Sequence, residues 1–389
     1  MNKLQQPKNK YWYILGRQPS LAAAELSAVL KCKIKNQNSR IVELDKKINI
    51  KQLGGTVKIG KVLANTLTNN ELEEKIIEEL KKIQGKIKFG LSLYGKSKYD
   101  LKDIQKFGLA IKKNLKQQGC SVRYVQNRTA DLSSAVVHNN KLIGDKGREF
   151  LITQDSDDKY SLAVTIDIQP FIEFSERDYG RPGRDDFSGM LPPKLAMIMI
   201  NLAQTGKNKK LLDPFCGSGT ILSEASLLGY KKLLGSDISV KAIADTEKNL
   251  DWIEKKYDIT DVKCQLDEMD ITQMSSQLKS TDSIVTEPYL GKPLKGRETR
   301  QEIENQTKEL RRLYLIAFAE FKKTLKPGGV VVFIIPRFKH ENEWININCK
   351  TEIERLGFKT KPLLPEHEFL IYCRPGQHLA REIWRFVLR

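Results

Sequence analysis

The sequence has no apolar run approaching the ~20 residues that a membrane-spanning helix needs, and its Lys-rich start, Met1-Asn-Lys-Leu-Gln-Gln-Pro-Lys8, lacks the apolar segment of a secretory signal. No membrane association is expected. Its six cysteines, at 32, 120, 216, 264, 349 and 373, include no Cys-x-x-Cys pair. That scatter argues against a zinc site and against a disulfide framework, and it fits a reducing, cytoplasmic setting. Internal repeats and long low-complexity tracts are absent as well. Acidic residues are the remaining shortage: 48 Asp and Glu face 66 Lys and Arg, leaving a net charge of +18. An excess of that size implies a polyanionic partner, most simply nucleic acid.

A chain of 389 residues, 40% of them hydrophobic, is long enough for two or three domains with real cores. In the first part, short apolar stretches at 11–15, 41–44, 89–94, 121–125, 150–153 and 160–168 predict strands. Residues 20–30 predict a helix capped by Ser20. Residues 103–117 predict an amphipathic one, with Ile104, Phe107, Leu109, Ile111 and Leu115 apolar. Residues 1–168 therefore read as an α+β region. Residues 169–193 are rich in Arg, Gly and Pro and read as a linker, and 194–389 as an α/β domain. In that last part, strands ending near Leu212, Leu234, Leu266 and Val285 alternate with helices, and a polar connection at 374–380 joins two final strands. This predicts a Rossmann-like, mostly parallel seven-stranded sheet with an antiparallel edge strand.

The most informative stretch is Leu211-Leu-Asp-Pro-Phe-Cys-Gly-Ser-Gly-Thr220, followed by Gly235-Ser-Asp-Ile238. Two apolar residues end a strand, Asp213 sits at its tip, Gly217 and Gly219 permit a tight turn, and a helix follows. About 20 residues on, a second strand ends in Asp237, the spacing by which doubly wound sheets hold a nucleoside through its ribose. The loop is not Gly-x-Gly-x-x-Gly, and a carboxylate beside it repels a pyrophosphate. It suits a ligand carrying an ammonium group, such as S-adenosylmethionine.

Three blocks resemble the THUMP-domain tRNA guanine-N2 methyltransferases of the guanosine-10 type, within the class I S-adenosylmethionine-dependent superfamily. They are Leu132-Ser-Ser-Ala-Val-Val-His-Asn-Asn-Lys-Leu142 with Gly147-Arg-Glu-Phe150; Arg177-Asp-Tyr-Gly-Arg-Pro182 with Gly189-Met-Leu-Pro-Pro-Lys-Leu-Ala196; and the cofactor loop. The resemblance implies a THUMP-like RNA-binding module at about 60–168 and a methyltransferase domain at 194–389. It implies that Asp213, Phe215, Gly217 and Gly219 line the methionine end of the cofactor. By the same resemblance Asp237 bonds the ribose, Ile238 packs on adenine, Asp270 bonds the adenine amine, and Pro193 shapes the pocket. The implied partner is tRNA; some members of the family act alone and others need a small activating subunit.

The departure lies after the fourth strand, where the family pattern is Asp-Pro-Pro-Tyr-Gly and this chain has Thr286-Glu-Pro-Tyr-Leu-Gly291. Methylating an exocyclic amine requires the nitrogen lone pair to be localised and aligned near the methyl carbon. A carboxylate can accept an amine hydrogen, proline fixes the backbone, and an aromatic ring stacks on the base. Glu287, Pro288 and Tyr289 are the candidates for those roles. Arg177, Arg181, Arg184, Lys141, Arg148, Lys292 and Lys295 are the candidate RNA contacts, the linker arginines serving either RNA or the linker's own anchorage. The alternatives are a DNA or ribosomal RNA amino-methyltransferase with the same chemistry, and a non-catalytic RNA-binding protein with a degenerate methyltransferase domain.

Overall fold

The computed structural model describes residues 9–34, 40–95, 100–126, 128–155, 158–184, 190–364 and 366–389. It divides into two compact units: Met1–Pro19 with Asn36–Ile172, and Ser20–Lys35 with Glu173–Arg389.

Strand β1 (Tyr11–Leu15) and helix α1 (Pro19–Leu30) open the chain. The first unit continues with β2 (Ile41–Leu44), β3 (Thr56–Leu67), α2 (Asn69–Lys81), β4 (Ile87–Tyr94), α3 (Leu101–Gln117), β5 (Val122–Val125), α4 (Ser134–Asn139), β6 (Arg148–Gln154) and β7 (Tyr160–Ile168). Its strands form one sheet in the order β2-β1-β3-β7-β6-β4-β5. β4 runs parallel to β5 and β6, and the other pairs are antiparallel. Helix α3 starts where Asp100 caps it in a reciprocal box with Asp103. Its face at Ile104, Ile111 and Leu115 is buried with Phe89, Phe150 and Ile152 of the sheet, while Leu109 points outward. Beneath that sheet Lys58 and Glu149 form a fully buried ion pair at 2.5 Å. The pair is tolerated because its remaining valences are filled: Ser92 and Thr165 hydroxyls donate to the carboxylate at 2.6 Å, and Lys58 also donates to the Leu132 carbonyl.

The second unit contains α1, although α1 falls in the N-terminal stretch 1–168. Residues Leu21 to Ala28 of this helix are all buried, on every face. A helix buried all round has cover on all sides. Part of it comes from α6 (Pro193–Ala203), whose Asn201 donates to Glu25 at 2.8 Å. Helix α5 (Phe171–Tyr179) takes up the first part of the expected linker; residues 185–189 of that linker lie outside the described residues.

After α6 the chain alternates: β8 (Lys210–Asp213), α7 (Thr220–Leu227), β9 (Lys232–Asp237), α8 (Val240–Tyr257), β10 (Lys263–Glu268), α9 (Met274–Gln277), β11 (Thr281–Thr286), α10 (Arg300–Thr324), β12 (Leu325–His340), β13 (Glu343–Asn346), α11 (Lys350–Arg355), β14 (Phe358–Thr360), β15 (Leu370–Tyr372) and β16 (Leu379–Leu388). The main sheet order is β10-β9-β8-β11-β12-β16-β14, with β13 on β12 and β15 on β16. The strands from β10 to β12 are parallel, and β16 runs antiparallel to both β12 and β14. The antiparallel strand therefore lies one place in from the edge, because the short β14 adds outside it. Phe318 of α10 packs edge-on against Phe333, Phe358 and Phe386, and Phe321 edge-on against Phe333, closing one face of the sheet.

Candidate active site

The strand order reverses between β8 and β11, and in such sheets ligands bind outside the carboxyl ends of the strands at that point. Acidic residues stand there on four neighbouring strands: Asp213 ends β8, Asp237 ends β9, Asp270 follows β10 by two residues and Glu287 follows β11 by one. Parallel register does this. When strands start level and run the same way, their tips line up.

Asp213 is 1% exposed. Its Oδ1 accepts from the Thr286 hydroxyl at 2.6 Å and from the Phe215 N–H at 3.3 Å. Burial pushes its carboxyl up to about 7, against the two hydrogen bonds that favour the charge, and the neighbouring Asp237 and Glu287 charges add to the rise. Asp213 forms no ion pair among the described residues. It is a buried carboxylate one cation short.

The loop after it is built from below by α8. Gly217 and Gly219 both have positive φ, 52° and 77°, and a Cβ on Gly219 would meet Thr246 at 2.7 Å. Thr246 donates to the Gly217 carbonyl at 2.7 Å; Asn249 donates to the carbonyls of Ser218 and Gly183, and its Oδ1 accepts from Gly183 N–H. Asn249 thus ties the linker to the loop. Asp237 accepts from Gly217 N–H at 2.9 Å through one oxygen and from Ser239 N–H through the other. Asp270 caps a short helical turn through Thr272, whose N–H and hydroxyl hold its carboxyl below the ordinary range. Ile238 is exposed beside this row, Phe215 packs on the apolar core, and Pro193 is buried as the first residue of α6. Cys216 sits inside the loop, but burial pushes its thiol up and leaves it inert.

Helix α10 fixes the loop beyond β11. Tyr314, fully buried, donates to the Tyr289 carbonyl at 2.8 Å. Gln306 accepts from Lys292 N–H at 3.0 Å, and Gly291, at φ 89°, leaves it room. Pro288 is buried, Tyr289 is 55% exposed with its ring available, and the Glu287 carboxylate accepts from Arg381 Nε at 2.5 Å. Lys292 and Lys295 are exposed on the same loop.

The basic candidates divide sharply. Arg177 and Arg181 are buried and make no surface for RNA, which corrects the RNA-contact expectation in favour of anchorage. Arg177 grips Glu224 of α7 with Nε at 2.6 Å and Nη2 at 3.2 Å. Arg181 donates to Thr220 and to the Met190 sulfur. Arg184 is exposed and donates to the Tyr179 carbonyl. In the first unit Arg148 turns back on the carbonyls of Gly144 and Gly147, so it shapes that turn. Lys141 is exposed on an open cavity of about 500 Å³, with His138, Asp145 and Lys146.

Residues 181–355 match the family model described as UPF0020, RMKL-like, methyltransferase domain. The tRNA (guanine(10)-N2)-dimethyltransferase of Methanocaldococcus jannaschii is 34% identical over 137 residues, 33% of this chain and 38% of the relative. The "Probable tRNA (guanine(10)-N2)-dimethyltransferase" of Methanothermococcus thermolithotrophicus is 34% identical over 166 residues, 41% of this chain and 99% of the relative. The chain belongs to the tRNA (guanine(10)-N2)-dimethyltransferase family. Its match spans well under half the length of the M. jannaschii relative. TrmN from Thermus thermophilus matches in structure with a TM-score of 0.57 at 15% identity, over 98% of this chain and 100% of that one. That likeness is one of fold, the class I S-adenosylmethionine-dependent methyltransferase fold. The residues present fit that cofactor: Asp213 lacks the cation an amino-acid end supplies, and the glycine turn leaves the backbone open to close approach.

Proposed function

We propose that this chain transfers a methyl group from S-adenosylmethionine to the exocyclic N2 amine of a guanosine in tRNA. The observation that carries the reading is the juxtaposition at the switch point: the Glu287 carboxylate, whose charge Asp213 feels, followed by buried Pro288 and exposed Tyr289. Family membership supports tRNA guanine as the substrate class.

When bound, the cofactor would supply an electrophilic methyl to the amine nitrogen, its C–S bonding pair staying on sulfur and the amine's surplus proton passing to solvent. Asp213 would hold the cofactor's ammonium, Asp237 its ribose hydroxyls and Asp270 its adenine amine. Ile238 offers an apolar face to the adenine ring. Glu287 accepts an amine hydrogen and draws the lone pair out of conjugation, and Tyr289 stacks on the guanine to hold its plane. Lys292, Lys295 and Arg184 meet phosphates near the target, and Lys141 belongs to the THUMP-like module that docks the tRNA. The free cysteines support a cytoplasmic setting. The test is Glu287→Ala. It abolishes transfer and leaves the affinity for S-adenosylmethionine intact; equal loss of both sinks the assignment.

A further inference from the structure

We infer that Arg381 is the positioning residue for the transfer, aiming Glu287 so that one carboxylate oxygen alone faces the target amine. This rests on the methyltransferase reading above.

Glu287 stands one residue beyond β11 on a side chain with three rotatable bonds, and a carboxylate so placed has no fixed direction unless something holds it. Arg381 holds it. Its Nε lies 2.5 Å from Glu287 Oε1, and the two side chains are only 11% and 12% exposed. The arginine springs from a braced part of the sheet: in β16 it stands opposite Pro336 of β12 on one side and Tyr372 of β15 on the other. A guanidinium N–H on such a base gives the carboxylate oxygen it meets a fixed place. With Oε1 committed, Oε2 is the oxygen left to accept an amine hydrogen.

The pairing also gives a physical reason for glutamate at this position. The carboxylate has to reach Arg381 and the amine at once, and an aspartate is shorter by one methylene. A second effect follows from charge. The Glu287 charge adds to the rise that burial imposes on Asp213, so the direction in which Arg381 holds that carboxylate also bears on the strand tips.

The experiment compares methyl transfer to tRNA by the full-length wild type, Arg381→Ala, Arg381→Lys and Glu287→Asp, with S-adenosylmethionine affinity measured alongside. Arg381→Ala should lower kcat about 100-fold, the cost of a misaimed group, with cofactor affinity and the KM for tRNA nearly unchanged. Arg381→Lys should fall between, since an ammonium offers charge but not an N–H at the position of Nε. Glu287→Asp should be as slow as Arg381→Ala. Added guanidinium should restore part of the activity of Arg381→Ala and none of that of Glu287→Ala. Wild-type kcat in Arg381→Ala overturns the inference, as does a raised kcat, which would make the pair a lock on the carboxylate. Loss of cofactor binding together with transfer also overturns it, since Arg381 would then be holding up the fold. Absence of transfer by the wild type overturns the methyltransferase reading and this inference with it; wild-type transfer with an undamaged Arg381→Ala overturns the positioning role alone.

Discussion

Asp213 ends β8 with its carboxylate buried and no ion pair among the described residues, and burial lifts its titration from the ordinary 3.8 to about 7. In the ligand-free protein this charge is a burden on stability. The burden is absent below the ordinary carboxylate range, sets in between 3.8 and about 7, and is complete above that. An ammonium delivered by the cofactor favours the ionised form, so binding near neutrality releases a proton. S-adenosylmethionine affinity should therefore fall below 7, towards about tenfold per pH unit, and fall again above about 8 as the cofactor's own α-ammonium loses its proton. Calorimetry across pH 5.5 to 8.5 checks this, and a flat profile contradicts it. Asp213→Asn should bind weakly at every pH, with the slope below 7 gone. Asp213, Gly217, Gly219 and Asp237 were legible in the sequence because one strand-turn-helix and the next strand's tip carry them all. Thr246, Asn249 and Arg381 were not. They reach the site from 29, 31 and 94 residues away from the groups they hold, and a lone Thr, Asn or Arg in a regular element carries no local mark.

At the scale of elements, the linker's arginines show what sequence alone leaves open. A cluster of Arg in a Gly- and Pro-rich segment reads equally as an RNA contact or as an anchor. Burial decides it for Arg177, clamped on Glu224 at the heart of α7. Arg177→Ala leaves the Glu224 carboxylate unpaired in the interior and should cost about 3–5 kcal/mol of unfolding free energy. A urea titration reads this as a lowered midpoint. Arg184→Ala should leave the midpoint unchanged and weaken tRNA binding. The turn below the cofactor makes a second prediction. Gly219→Ala forces a methyl against Thr246 at 2.7 Å in a left-handed backbone, so it should destabilise the loop and sharply weaken S-adenosylmethionine binding. Full cofactor affinity in that variant would show the turn can relax. Helix α1 was legible as a helix but not as part of the second unit, because its Ala- and Leu-rich composition says that it is buried and not against what.

For the whole molecule, the alternation of strands and helices after Leu211 was enough to expect a parallel sheet, since each crossover demands the next strand run the same way. The outer position of β14 was not legible: three residues, Phe358–Thr360, are too few to show a period. The net charge of +18 belongs to this scale too. Polyanion binding by such a chain releases counterions, so log affinity for tRNA should fall linearly with log salt, by about 10³ between roughly 50 and 200 mM if some six phosphates are engaged. A salt-independent affinity would mean that the excess charge is only solvated surface.

The most direct test of the account is methyl transfer from labelled S-adenosylmethionine to unmodified tRNA, followed by nucleoside analysis of the product. The account predicts that the label is found on the N2 amine of guanosine and is lost when Glu287 is replaced by Ala. Label on another nucleoside, or cofactor binding with no transfer to tRNA, would contradict it.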